Sequence, residues 1–111
     1  MNLLLRLLIS TISVLVAAYL IPGVEVEGFY VAFIVAVVMG VLNVFIKPVL
    51  LILTLPINIL TLGFFTLVIN IFLIILTDVL VQGFSVSTFL AALLFGLVVS
   101  LVSSLLNSIA N

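Results

Sequence analysis

Apolar residues gather into four blocks along the chain, at about Leu3 to Ile21, Phe29 to Ile46, Gly63 to Val81 and Phe89 to Leu106. Each is close to the ~20 residues that carry a helix through ~30 Å of hydrocarbon. Two short polar stretches, Pro22 to Gly28 and Gln82 to Thr88, join the blocks pairwise. Their glycines and Pro22 stop one helix, and Ser87 is placed to cap the next. The pattern predicts an all-α integral membrane protein, one domain over residues 1–111 with four transmembrane helices paired as two helical hairpins. Arg6 ahead of an apolar stretch also fits a signal peptide, but that stretch is long enough to span and no A-x-A site follows it. The first block therefore reads as a retained helix.

Residues 47–62 break the pattern. They are largely apolar, open on Lys47-Pro48 and are interrupted by Pro56. Each half, about eight residues, would reach only ~12 Å as helix. That suits a re-entrant hairpin or two interfacial segments, with Thr54, Asn58 and Thr61 placed to satisfy backbone groups freed near the proline. An internal repeat of 60 residues frames this segment: Gly23 to Phe29 aligns with Gly83 to Phe89, Ala32 with Ala92 and Val38 with Val98. With four spans the two halves share one orientation. If residues 47–62 crossed fully, giving five spans, the halves would be inverted, as in many transporters.

Composition changes the picture mainly by exclusion. The chain is 68% hydrophobic and 5% charged, with a mean hydropathy of +1.86, far from the composition of soluble domains. Its solvent is lipid, and the bilayer is its first partner. It holds no cysteine and no histidine, which removes thiolate metal sites, the commonest metal ligand and the usual general base. No metal or cofactor is expected. A net charge of −1 comes with no basic run that could grip nucleic acid or an anionic surface. No nucleophile–base pair and no phosphate loop stands out, so the chain does not read as an enzyme. Arg6 and Lys47 fall on one side of a four-span arrangement, Glu25, Glu27 and Asp78 on or near the other. The positive-inside rule then places both termini and the central segment in the cytoplasm.

Small and polar residues recur at helical spacing. The second block carries Ala32, Ala36, Gly40, Asn43 and Lys47, the fourth Ala92, Gly96, Ser100, Ser103 and Asn107. Arg6, Ser10, Ser13 and Ala17 mark the first; Thr66, Asn70 and Thr77 mark the third. Steps of three and four put each set on one helix face. The first reading is a packing seam, since helices in lipid associate through small residues and interhelical hydrogen bonds. The sharper reading is that these faces line a wet path, within one bundle or between subunits. Asp78 is the acid nearest the membrane interior. It is either a proton or cation site or, about one turn from its helix end, an interfacial residue.

The elements Gly40-Val41-Leu42-Asn43, Ile46-Lys47-Pro48 and Thr54-Leu55-Pro56-Ile57-Asn58-Ile59-Leu60-Thr61-Leu62-Gly63 closely resemble the signature of phage holin superfamily IV, the mycobacterial four-span phage holins with the YvlD-type proteins. The resemblance extends through Val68-Ile69-Asn70 and the Gly83-Phe84-Ser85-Val86 turn, essentially the whole chain. Lys47 stands where many members carry arginine, which keeps the charge but loses the forked donor. The resemblance implies a bacterial cytoplasmic-membrane protein that self-associates and makes holes; it brings no catalytic or ligand residues. Against that homo-oligomeric, holin-like reading stand a non-lytic envelope-stress or accessory membrane protein and a small transporter or lipid-handling protein gated by the broken central segment.

Overall fold

The computed structural model describes residues 2–110. It contains α1 (Leu3–Leu20), β1 (Val24–Val26), α2 (Phe29–Val41), a π-helical turn (Leu42–Ile46), α3 (Lys47–Leu53), α4 (Leu55–Leu60), α5 (Phe65–Leu80), β2 (Phe84–Val86) and α6 (Phe89–Ala110). Three helical runs are long and apolar enough to cross a membrane, Leu3–Leu20, Phe29–Leu53 and Phe89–Ala110, and Phe65–Leu80 is a shorter fourth.

The second run departs from the expected boundary at Ile46. It is helical for 25 residues, through Lys47 and Pro48. A proline inside a helix lacks the N–H and presses its ring on the carbonyl four residues back. The π-helical turn just before it supplies the slack: the Lys47 amide bonds the Leu42 carbonyl, five residues back. The expected central break at residues 47–62 thereby shrinks. The chain bends at Thr54 (φ −103°, ψ 14°), two residues before Pro56, which lies in the first turn of α4. There its missing amide is not needed. Likewise α6 continues past Leu106 to Ala110.

Helical periodicity also missed a two-stranded sheet. β1 and β2 pair antiparallel in the register Val24↔Val86, Glu25↔Ser85 and Val26↔Phe84. Flanking bonds extend the ladder, Glu27 N to Gly83 O at 3.0 Å and Ser87 N to Gly23 O at 2.8 Å. Ser87 is thus used by the ribbon, and Thr88 caps α6 instead, its Oγ1 accepting from the Ala91 amide at 3.0 Å. Gly23 and Gly83 hold φ of +92° and +90°, which side-chain-bearing residues rarely adopt. A β-carbon on Gly23 would also stand 2.6 Å from the Ser87 hydroxyl oxygen.

Alternation along the ribbon turns Val24 and Phe84 into the core and leaves Glu25 and Ser85 exposed. Val86 faces β1 across a pair that exchanges no backbone bonds, so its N–H points outward, where the Asp78 carboxylate accepts it at 3.0 Å. Beneath the ribbon lie Val14 and Ala17 of α1, Ala32, Val35 and Ala36 of α2, Ile71 and Ile74 of α5, and Ala91, Ala92 and Phe95 of α6. The Phe84 and Phe95 rings sit 5.4 Å apart, tilted by 48°. Tyr19 and Tyr30, 88% and 75% exposed, flank the ribbon, as amphipathic aromatics do at a membrane–water interface.

Paired strands require both interhelical turns to lie on one side of the bilayer. A Glu25→Cys/Ser85→Cys variant should therefore oxidise to an intramolecular disulfide in membranes, because directly paired residues at ~5.5 Å between α-carbons lie within disulfide reach. No cross-link, with the two thiols labelled from opposite faces, would mean an inverted five-span arrangement.

Candidate functional site

The long helix and α6 bury residues chiefly near the ribbon. Beyond Ala36 only Leu42 is buried on the Phe29–Leu53 run, and α6 has none buried past Phe95 among the described residues. Between these helices and α5 lies a partly open cavity of about 150 Å³. Met39, Asn43 and Lys47 line it from the long helix, four residues apart and so on one face. Leu67, Asn70, Ile71, Leu73 and Ile74 line it from α5, and Ala92, Leu93, Gly96, Leu97, Val99 and Ser100 from α6. Polar groups thus converge from three elements, while most of the wall is aliphatic.

Six of the residues marked by the polar stripes, Asn43, Lys47, Asn70, Ala92, Gly96 and Ser100, meet here. The remainder lie elsewhere. Gly40 is exposed and nothing stands within 4 Å of where its β-carbon would be, so it is no helix contact within the chain. Met39 takes its place on the cavity face, a position that polarity alone does not mark. Gly96 lies close to α5: a β-carbon there would come within 2.9 Å of Ile74 Cδ1. Ser103 donates to Ser13 Oγ at 2.9 Å, joining α6 to α1. Asn107 is half-buried one turn further along α6. Asp78 is spent on the ribbon through the Val86 amide and does not line the cavity.

The central motif forms a second polar group beside the cleft. Thr54 Oγ1 donates to the Leu50 carbonyl at 2.7 Å, back-bonding at the bend. Asn58, the one buried residue of α4, donates to Thr54 Oγ1 at 3.2 Å and accepts from Thr66 Oγ1 at 3.1 Å. It ties α4 to α5. Thr61 remains exposed, donating to the Ile57 carbonyl at 2.9 Å and accepting from the Phe65 amide at 3.3 Å. Pro48, Pro56 and Gly63 are exposed; Gly63, at φ +87°, sits in the turn into α5.

Among the described residues, side chain–side chain hydrogen bonds join Thr54 to Asn58, Asn58 to Thr66 and Ser13 to Ser103. Asn43, Asn70 and Ser100 enter none of them. Each presents donors and acceptors to the cleft, and Lys47 adds three donors and a charge. The three acidic side chains, Glu25, Glu27 and Asp78, belong to the ribbon end, whereas Lys47 lies ~27 Å from Phe29 along the long helix. No group among the described residues has the grouping of His, Cys, Asp or Glu that a metal ion needs.

Replacing Asn58 by leucine should lower stability in detergent by ~1 kcal/mol through the loss of its interhelical bond to Thr66 and its local bond to Thr54. Thr61→Val, at an exposed position, should stay within ~0.5 kcal/mol of the parent. Thermal or SDS-induced unfolding followed by circular dichroism measures both; equal effects would show that Asn58 does not tie the two helices.

The family described as mycobacterial 4 TMS phage holin, superfamily IV, matches residues 1–105. The uncharacterized protein SCO3922 of Streptomyces coelicolor is 37% identical over 117 aligned positions, covering 96% of this chain and 94% of that one. The uncharacterized membrane protein YvlD of Bacillus subtilis is 30% identical over 95, covering 85% of this chain and 80% of its own length. No solved structure matches the chain.

Proposed function

The chain belongs to the mycobacterial four-span phage holin family of superfamily IV, and from that premise we propose that it is a non-enzymatic protein of the bacterial cytoplasmic membrane that self-associates through its polar cleft and permeabilises the bilayer. One observation carries this reading. Asn43, Asn70 and Ser100 line a partly open cavity without bonding one another, and Asn43 and Ser100 are exposed. Polar groups left facing hydrocarbon are costly, and interhelical hydrogen bonds to another chain relieve that cost by ~1–2 kcal/mol each. A second copy brings matching amides and hydroxyls, and a ring of such copies would turn the polar faces toward a common wet path.

The same geometry supports the accompanying topology. Elements of the two helical hairpins recur 60 residues apart, as an internal repeat would place them: α1 ends at Leu20 and α5 at Leu80, β1 is centred on Glu25 and β2 on Ser85, and α2 and α6 start at Phe29 and Phe89. Both hairpins then run in one direction, with the ribbon outside and Arg6, Lys47 and both termini on the cytoplasmic side. A second reading, a non-lytic accessory protein, draws on Lys47 being the one charged residue among those lining the cleft, which is not the ring of charge that ion-selective pores use.

The chain lacks cysteine, so single-cysteine variants test the proposal cleanly. Ser100→Cys and Asn43→Cys should cross-link into dimers and higher species in membranes, and Phe72→Cys, on the exposed side of α5, should not. Induced expression should collapse the membrane potential, and an Asn43→Leu/Ser100→Ala double variant should abolish that collapse. Monomer alone with an intact potential would overturn the proposal. Cross-links with an intact potential would establish the accessory reading instead.

A further inference from the structure

We infer that in the unassembled chain the cleft is occupied by the phosphate head of an anionic phospholipid held on Lys47, and that this lipid competes with self-association. The inference rests on the reading of the cleft as an assembly surface and names what occupies it beforehand. Lys47 is half-buried and lines the cavity together with Asn43, Asn70 and Ser100. An ammonium, two side-chain amides and a hydroxyl all offer N–H or O–H donors, so a multi-acceptor anion matches them better than a cation or a neutral amide. The three acidic side chains stand at the ribbon end, and Asp78 is already bonded to the Val86 amide. None of them is positioned to neutralise Lys47.

The remaining lining favours a lipid over a free anion. Leu67, Leu93, Leu97 and Val99 give the cavity an aliphatic wall, which would contribute nothing to a hydrated phosphate but would pack against glycerol and the first acyl carbons. The cavity of about 150 Å³ has room for several waters. That accommodates a phosphodiester head and excludes a whole lipid, whose chains would leave through the open side into the bilayer. A cation at a helix position near the cytoplasmic headgroups faces the leaflet in which anionic lipids create a negative potential. The same residues would be needed by a second copy, so lipid and protein exclude one another.

The experiment uses the full chain purified in a neutral detergent, with phosphatidylglycerol and phosphatidylcholine as probes and native mass spectrometry as the readout. The wild type should retain phosphatidylglycerol about tenfold more tightly than phosphatidylcholine, and Lys47→Gln should erase the difference, while Lys47→Arg keeps it. Equal retention of the two lipids, or an unchanged preference in Lys47→Gln, would overturn the inference. Displacement of the lipid by millimolar inorganic phosphate would show a free-anion site and overturn the lipid assignment. Formation of the Glu25→Cys/Ser85→Cys disulfide in the Lys47→Gln background separates a lost site from a lost fold. Competition is read from Ser100→Cys cross-linking in vesicles of each lipid. Yield should fall in phosphatidylglycerol and recover with Lys47→Gln; the same yield in both vesicles would refute competition. Absence of cross-links in either vesicle would sink the assembly proposal, and the lipid preference would still decide the lipid site by itself.

Discussion

Backbone amides that leave a helix near a bilayer have to find partners, and in this protein the two interhelical turns find each other. Pairing of Val24–Val26 with Phe84–Val86 joins segments 60 residues apart and obliges both helical hairpins to turn on the same side. The glycines at its corners, the Asp78–Val86 link and the inward Val24 and Phe84 all serve that contact. Packing follows from it. Small residues let the helices approach beneath the ribbon, where Ala17, Ala32 and Ala92 are fully buried, and the fully buried Phe95 packs its ring against that of Phe84.

A bundle drawn together at one end need not close at the other. Away from the ribbon, the long helix and α6 hold few buried residues, and Asn43, Lys47 and Ser100 line a cavity there. The π-helical turn belongs to this arrangement, because it lets the helix carry Pro48 without stopping and so presents Lys47 on the face of Asn43 and Met39. Asn58 and its two threonines then fold α4 back onto α5. Stability concentrated under the ribbon and unsatisfied polarity concentrated in the cleft are two consequences of the same geometry.

Much of this was legible in the residues. Block length in an apolar chain identifies spanning helices directly, since the bilayer sets the length, and steps of three and four put Gly96 and Ser100 on one face of α6. Other features left no local trace. Three-residue strands are too short to show alternation, and each finds its partner far along the chain. Lys47-Pro48 looked like a helix end because proline usually is one; the π-helical turn that absorbs it has no simple pattern. Gly40 shared the spacing of the stripe but points away, and the aliphatic Met39 lines the cleft, so polarity marked the face only in part.

The measurement that bears most directly on the central claim, an open polar cleft away from a closed ribbon end, is the polarity sensed by nitroxide labels at neighbouring positions of α6 in lipid bilayers. Ser100 lines the cavity and Leu101, at nearly the same depth, is 65% exposed on the outer surface. Frozen-solution electron paramagnetic resonance should report a polar, hydrogen-bonding environment at Ser100 and hydrocarbon at Leu101. Hydrocarbon values at both positions would contradict the account, leaving the polar stripe without a cleft to line.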